Sequence, residues 1–209
     1  METDRCSINP SQLTYLTTVV AAVGREPQDA NGNRLFSTDE LDWFARNAYN
    51  LGLSHLDDWD LSHCIQILTA CTNIIHLFPS DITSQATQDM SFKLIFSNFI
   101  IASGLVAQAR TQDNLEKQLQ DYLQMRKHIA AFENELPGRL DSLEGKARED
   151  LLNKHATLLT FDLEAAICLK KWEDLCTIVR RANQCKSVIA FQGMGDCLLR
   201  SNVPGQGTL

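Results

Sequence analysis

The sequence predicts an all-α protein, an α-solenoid of antiparallel helical hairpins with about eight helices, and three observations carry that prediction. Five prolines and ten glycines in 209 residues leave long stretches unbroken. Apolar residues recur at three- and four-residue spacing through most of those stretches. Runs of β-branched residues are too short for serial strands, and 44% hydrophobic with 22% charged residues is the balance of a folded chain.

The elements follow in order. Asn9-Pro10 places a capping side chain before a proline at the first helical position and opens a helix through Leu13, Leu16, Val19 and Val20 to Gly24. Arg25 to Arg34 is a polar loop. Ser37-Thr38-Asp39-Glu40 forms a capping box for a helix through Leu41, Phe44, Ala48 and Leu51. After Gly52 and the acidic turn at Asp57, Asp58 and Asp60, a stripe of Leu61, Cys64, Ile65, Leu68, Cys71 and Ile75 returns as the second arm of a hairpin and stops near Pro79. From Ser84 to about Arg110 runs a helix apolar on nearly every side, hence a central one. Leu115 to Leu136 is amphipathic and is expected to break at Pro137-Gly138. Ser142 to Leu169 is long, Lys170-Lys171-Trp172 is a turn, and Glu173 to Ala182 returns with Leu175, Cys176, Ile178 and Val179 inward. Ser187 to Leu199 is a last helix weakened by Gly193 and Gly195. The organisation is an N-terminal helix and polar loop over 1–34, a helical-repeat region over 35–200 and a disordered tail over 201–209.

The formal charge of −7 argues against a surface built for nucleic acid, which concentrates Lys and Arg on one face. Seven single cysteines (Cys6, Cys64, Cys71, Cys168, Cys176, Cys185, Cys197), an odd number set mostly in apolar pattern, read as reduced core thiols. The N-terminus lacks a secretory pattern, and the apolar run Leu94 to Val106 falls short of a membrane span, so neither export nor a membrane is expected.

Two segments share a layout. Tyr49-Asn50-Leu51-Gly52, a turn bearing Trp59, then a helix with Cys64 form one; Phe161 to Ala166 with Ala165, a turn bearing Trp172, then a helix with Cys176 form the other. This is the layout of tetratricopeptide-type hairpins, in which small residues allow close approach and a turn aromatic covers the junction. Trp43, Leu51, Gly52, Trp59, Cys64, Phe161, Ala165 and Trp172 are therefore the expected repeat-packing residues. Within it, Leu41-Asp42-Trp43-Phe44-Ala45 followed by Asn47-Ala48-Tyr49-Asn50-Leu51-Gly52 resembles the meiosis-specific sporulation family of tetratricopeptide-like scaffolds, whose animal counterpart is the testis-expressed meiotic crossover protein. The similarity continues through Ile67 to Cys71, Thr160 to Ala166 and Trp172 to Leu175, about residues 35 to 200. It rests on helix-packing residues, and family members are several times longer. The resemblance implies a nuclear, chromosome-associated scaffold that holds crossover-promoting and chromosome-axis proteins together in meiotic recombination and synapsis. It implies no enzyme activity, cofactor, membrane, small-molecule substrate or direct nucleic-acid contact.

Two other classes stay open beside it: a tetratricopeptide-like adaptor in an unrelated complex, and a helical-repeat enzyme subunit such as a prenyltransferase alpha-like chain or a thiol hydrolase. A hydrolase needs a Cys and a His within about 4 Å in one pocket. His63 beside Cys64, with His55 and His76 nearby, is the pairing the sequence offers, but helix neighbours face about 100° apart, and a packed Cys with a surface His is the simpler account. No Cys-x-x-Cys or His-x-x-x-His pair suggests zinc, and the acidic turn lacks the glycine and distal glutamate of a calcium loop. Gly193-Met194-Gly195 has no preceding strand to make a nucleotide loop. Arg180-Arg181 with Lys170, Lys171 and Lys186 reads as charge at helix C-termini, and the mixed charges from Asp113 to Lys154 as the outer face of a helix pair.

Overall fold

The computed structural model describes residues 10–23, 25, 27–32, 34–79 and 83–201. Cys6, the Asn9 cap and the tail beyond Ser201 lie outside the described residues. Among the described residues the chain is all-α, with eight α-helices: α1 (Pro10–Val23), α2 (Thr38–Ser54), α3 (Leu61–Ile75), α4 (Ser84–Thr111), α5 (Leu115–Asp141), α6 (Gly145–Cys168), α7 (Leu175–Cys185) and α8 (Val188–Arg200). Among the described residues a 3-10 turn, Trp172–Asp174, leads into α7. Helix starts follow side-chain chemistry. Ser37 and Glu40 form the reciprocal capping box of α2, Asp60 caps α3 through the Ser62 N–H, Asn114 caps α5 and Ser187 caps α8.

The chain divides into two compact units, Met1–Gly104 and Leu105–Leu209. In the first, α2 and α3 form a hairpin, α1 packs on α3, and one core gathers Val19 and Val23, Leu41, Ala45 and Ala48, Ile67, Ala70, Cys71 and Ile74, with Met90 and Leu94 from α4. Gly52 is what lets α2 close on α3. A Cβ there would meet Cγ and Cδ2 of fully buried Leu68 at 2.7 Å, inside van der Waals contact.

In the second unit α6 is the hub and packs against α5, α7 and α8. The buried face of α5, Tyr122, Met125, Ile129, Phe132 and Leu136, steps by three and four residues and forms a heptad-like seam. Across from α5, Leu159, Leu163 and Ala166 of α6 join Ile178 and Ala182 of α7 and Met194 of α8 in a second core.

Several sequence expectations are corrected here. The helix expected to break at Pro137-Gly138 runs on to Asp141 with Pro137 inside it, the proline forgoing its own N–H bond and crowding the Glu133 carbonyl at a cost confined to that turn. Cys176 faces outward from α7, and Cys168 is exposed too, so the cysteines are not uniformly core thiols. Trp43 is 54% exposed and meets Phe44 edge-on rather than filling the core. By length and composition α4 is able to cross a membrane, contrary to the shorter run read from sequence, but most of its most apolar stretch is buried inside the fold. Gly193 does not loosen α8. Its missing side chain leaves room for Thr160 of α6, whose Cγ2 a Cβ would meet at 3.0 Å.

Candidate functional site

The expected repeat-packing residues lie in both units. Leu51 and Trp59 are half-buried against the first core, Gly52 is buried, and Trp59 stacks on His55 with ring centroids 3.9 Å apart. Cys64 is fully buried and its thiol donates to the His55 carbonyl at 3.5 Å. Ala165 is buried on α6, Phe161 is half-buried beneath the Arg110 guanidinium at 5.4 Å, and Trp172 sits half-buried in the 3-10 turn.

The thiol–imidazole pairing at His63 and Cys64 does not form. Burial, helped by Asp60, pushes the Cys64 thiol up. Burial pushes Cys71, which donates to the Ala45 carbonyl at 3.3 Å, up to about 12. Both are packed thiols. Asp60 serves as the cap of α3, and among the described residues no three His, Cys, Asp or Glu side chains gather as metal ligands do.

A different polar array, which sequence reasoning missed, is built between α5, α6 and α7. Cys185 Sγ lies 3.4 Å from His155 Nδ1, and His155 Nε2 lies 2.8 Å from Glu133 Oε1. Arg181 donates to Glu133 Oε2 and to Asp162 Oδ2, and Arg126 donates to Asp162 Oδ1 and Asp174 Oδ2. Each element contributes rungs seven residues apart: Arg126 and Glu133 from α5, His155 and Asp162 from α6, and Asp174 and Arg181 from the 3-10 turn and α7 that follow one another. Seven residues is two helical turns, so the rungs align along the helix–helix seams. Arg181 and Glu133 thus face inward, correcting their assignment to a helix C-terminus and to an outer face.

Hydrogen-bond logic fixes the protons of this array. An ionised Glu133 only accepts, so His155 Nε2 carries the N–H. Three carboxylates face two guanidiniums along the ladder, an excess of one negative charge that a protonated His155 cancels. Burial opposes the imidazolium, but the hydrogen bonds to Cys185 and Glu133 outweigh it and raise His155 to about 9. His128 on α5 goes the other way, lowered to about 4 by burial and by Lys127.

The second feature is a groove of about 840 Å³ along α6 and α8, lined by Arg110, Ile167, Cys168, Trp172, Asp196 and Cys197 among others. Arg110 is fixed there by Glu164, which also accepts from the Tyr122 hydroxyl at 2.8 Å. Cys185 and His155 do not line it. The Cys–His distance a thiol hydrolase requires therefore occurs outside this groove, so the pair does not meet the criterion of sharing it.

Beside the groove, α8 is apolar on two sides. Ala190, Met194, Cys197 and Leu198 turn toward the core. Val188, Phe191 and Leu199, at helical spacing through Gly195, turn outward together with Ile189. Val188, Ile189 and Leu199 are 70%, 81% and 82% exposed, which a helix covered by nothing does not need. No family model, curated protein or solved structure matches the chain.

Proposed function

We propose that the chain is a non-enzymatic helical-repeat scaffold for protein–protein interactions in meiotic recombination, acting in the nucleus on chromosomes to hold crossover-promoting and chromosome-axis proteins together. The observation that supports a docking role is the outer stripe of α8, with Val188, Phe191 and Leu199 presented next to the groove that Trp172 and Ile167 line. A helix apolar on both sides buries one in its own unit and offers the other to a partner helix, with anchors at i, i+3 and i+11. The meiotic setting rests on the resemblance of residues 35 to 200 to the sporulation scaffolds, whose Leu51-Gly52 and Phe161 to Ala166 stretches stand at helix-packing positions in this chain. The acidic balance accords with reaching chromosomes through proteins rather than through DNA phosphates.

The test is affinity capture from meiotic cells with the wild-type chain and a Phe191→Glu/Leu199→Glu variant. Crossover or axis proteins should be recovered with the wild type and lost with the variant, since a charge at a buried contact costs several kcal/mol. Recovery of none, with expression confined to vegetative growth, sinks the meiotic reading. Capture of a defined unrelated complex through the same stripe supports an adaptor elsewhere.

A further inference from the structure

The Cys185–His155–Glu133 array has the connectivity of an activated nucleophile: a thiol against an imidazole nitrogen whose ring is oriented by a carboxylate on its far side. Because Nε2 is committed to Glu133, Nδ1 faces Cys185 Sγ, and the protonated ring presents its second N–H to the sulfur. The groups facing His155 are Glu133 from α5 and Cys185 from α7, with Arg181 of α7 behind Glu133 and Asp162 of α6 behind Arg181. The His155 side chain is 10% exposed and packs near Phe132, so water does little to weaken these contacts. Cys185 itself is half-buried at the C-terminal end of α7, within reach of a small solute. The array has no part in the large groove, so a reactant that needs no binding site of its own fits it best.

We propose that Cys185 is a peroxide-reactive thiol, activated by His155 and positioned through Glu133, and that it is oxidised to the sulfenic acid ahead of the more exposed Cys168 and Cys176. Cys185 gives its proton to solvent, and the thiolate, held by the Nδ1–H of the His155 imidazolium, attacks one oxygen of hydrogen peroxide as the O–O bond breaks. The sulfur loses two electrons and becomes the sulfenic acid. The departing hydroxide takes a proton from Nδ1 and leaves as water, and the proton released by Cys185 returns to the ring through solvent. This modification does not depend on the scaffold reading, since it concerns α5, α6 and α7 and not the outer stripe of α8.

Exposure alone ranks Cys168 and Cys176 first, and the imidazolium contact ranks Cys185 first, so the two are separable. The experiment treats the reduced full chain with limiting hydrogen peroxide, traps sulfenic acid with dimedone and reads each cysteine by mass spectrometry. At about pH 7, where an ordinary thiol is only a few per cent ionised, Cys185 should label roughly tenfold faster than Cys176, and the gap should close near pH 10. In His155→Gln the Cys185 rate should fall about tenfold at neutral pH while that of Cys176 holds. In Glu133→Gln the pH profile of Cys185 should move toward that of Cys176. Labelling in order of exposure, or an unchanged Cys185 rate in a His155→Gln chain of unaltered helical content, overturns the proposal. Should that variant not fold, the wild-type comparison decides alone, and equal rates for Cys185 and Cys176 at neutral pH overturn it.

Discussion

Lys170 and Lys186 are the two non-glycine residues with positive φ among the described residues, at 58° and 52°. Lys170 ends α6 in a Schellman motif, with the Lys171 N–H bonded to the Ala166 carbonyl and the Lys170 N–H to that of Ile167. The left-handed conformation costs a side-chain-bearing residue about 1 kcal/mol that glycine does not pay. Lys170→Gly should therefore stabilise the second unit by about 0.5–1 kcal/mol, seen as a higher denaturation midpoint with unchanged slope in urea. That turn was legible in the sequence as a helix stop, because the apolar spacing fails after Leu169, but its backbone geometry was not, since lysine gives no signal of a left-handed residue. Gly52 was legible because a glycine inside strong helical pattern has a reason to be there, and the contact with Leu68 is that reason. Trp43 was misread for the opposite cause: a large aromatic in a helix is expected inward, and only its position relative to Leu41, Ala45 and Ala48 puts it outside.

The helices themselves were set by spacing and caps, and where the sequence named a cap within the described residues, at Ser37, the boundary agrees within a residue or two. The inter-helix ladder was not readable, because charges on an amphipathic helix are ordinarily solvated and nothing local distinguishes Glu133 from Glu135. The signal that existed was the recurrence of opposite charge at seven-residue steps on neighbouring elements, Arg126 with Glu133 and Asp174 with Arg181. Asp162 is its centre: buried, and accepting from both arginines. Asp162→Ala takes one of two carboxylates from each of two guanidiniums that are less than a third exposed, leaving Arg126 on Asp174 and Arg181 on Glu133. Removing one partner of such a set costs about 3 kcal/mol, far above a surface pair, and the loss should appear in chemical denaturation of the second unit.

For the chain as a whole, two histidines set opposite limbs of the stability curve. His155, raised to about 9 in the fold, contributes stability that is complete below an ordinary histidine value near 6.5 and fades as pH rises toward 9. His128, lowered to about 4, does the reverse: the unfolded chain takes its proton first, so stability fades as pH falls from about 6.5 toward 4. Thermal unfolding of the second unit should then peak near pH 6.5, with His155→Gln flattening the alkaline limb and His128→Gln the acid limb; a curve level across that span counts against both assignments. The all-α class was readable from composition and spacing alone, while the division into two units was not, because it falls within the continuous helix α4, where no linker composition marks it. A last consequence concerns how α8 knows which way round to sit. Greasy side chains on both flanks supply no preference for one rotation, and Lys186 and Ser187 leave almost no slack to choose another. The orienting information lies instead in a blank, the hydrogen atom of Gly193 against Thr160, which makes the helix's address a matter of shape rather than of oiliness.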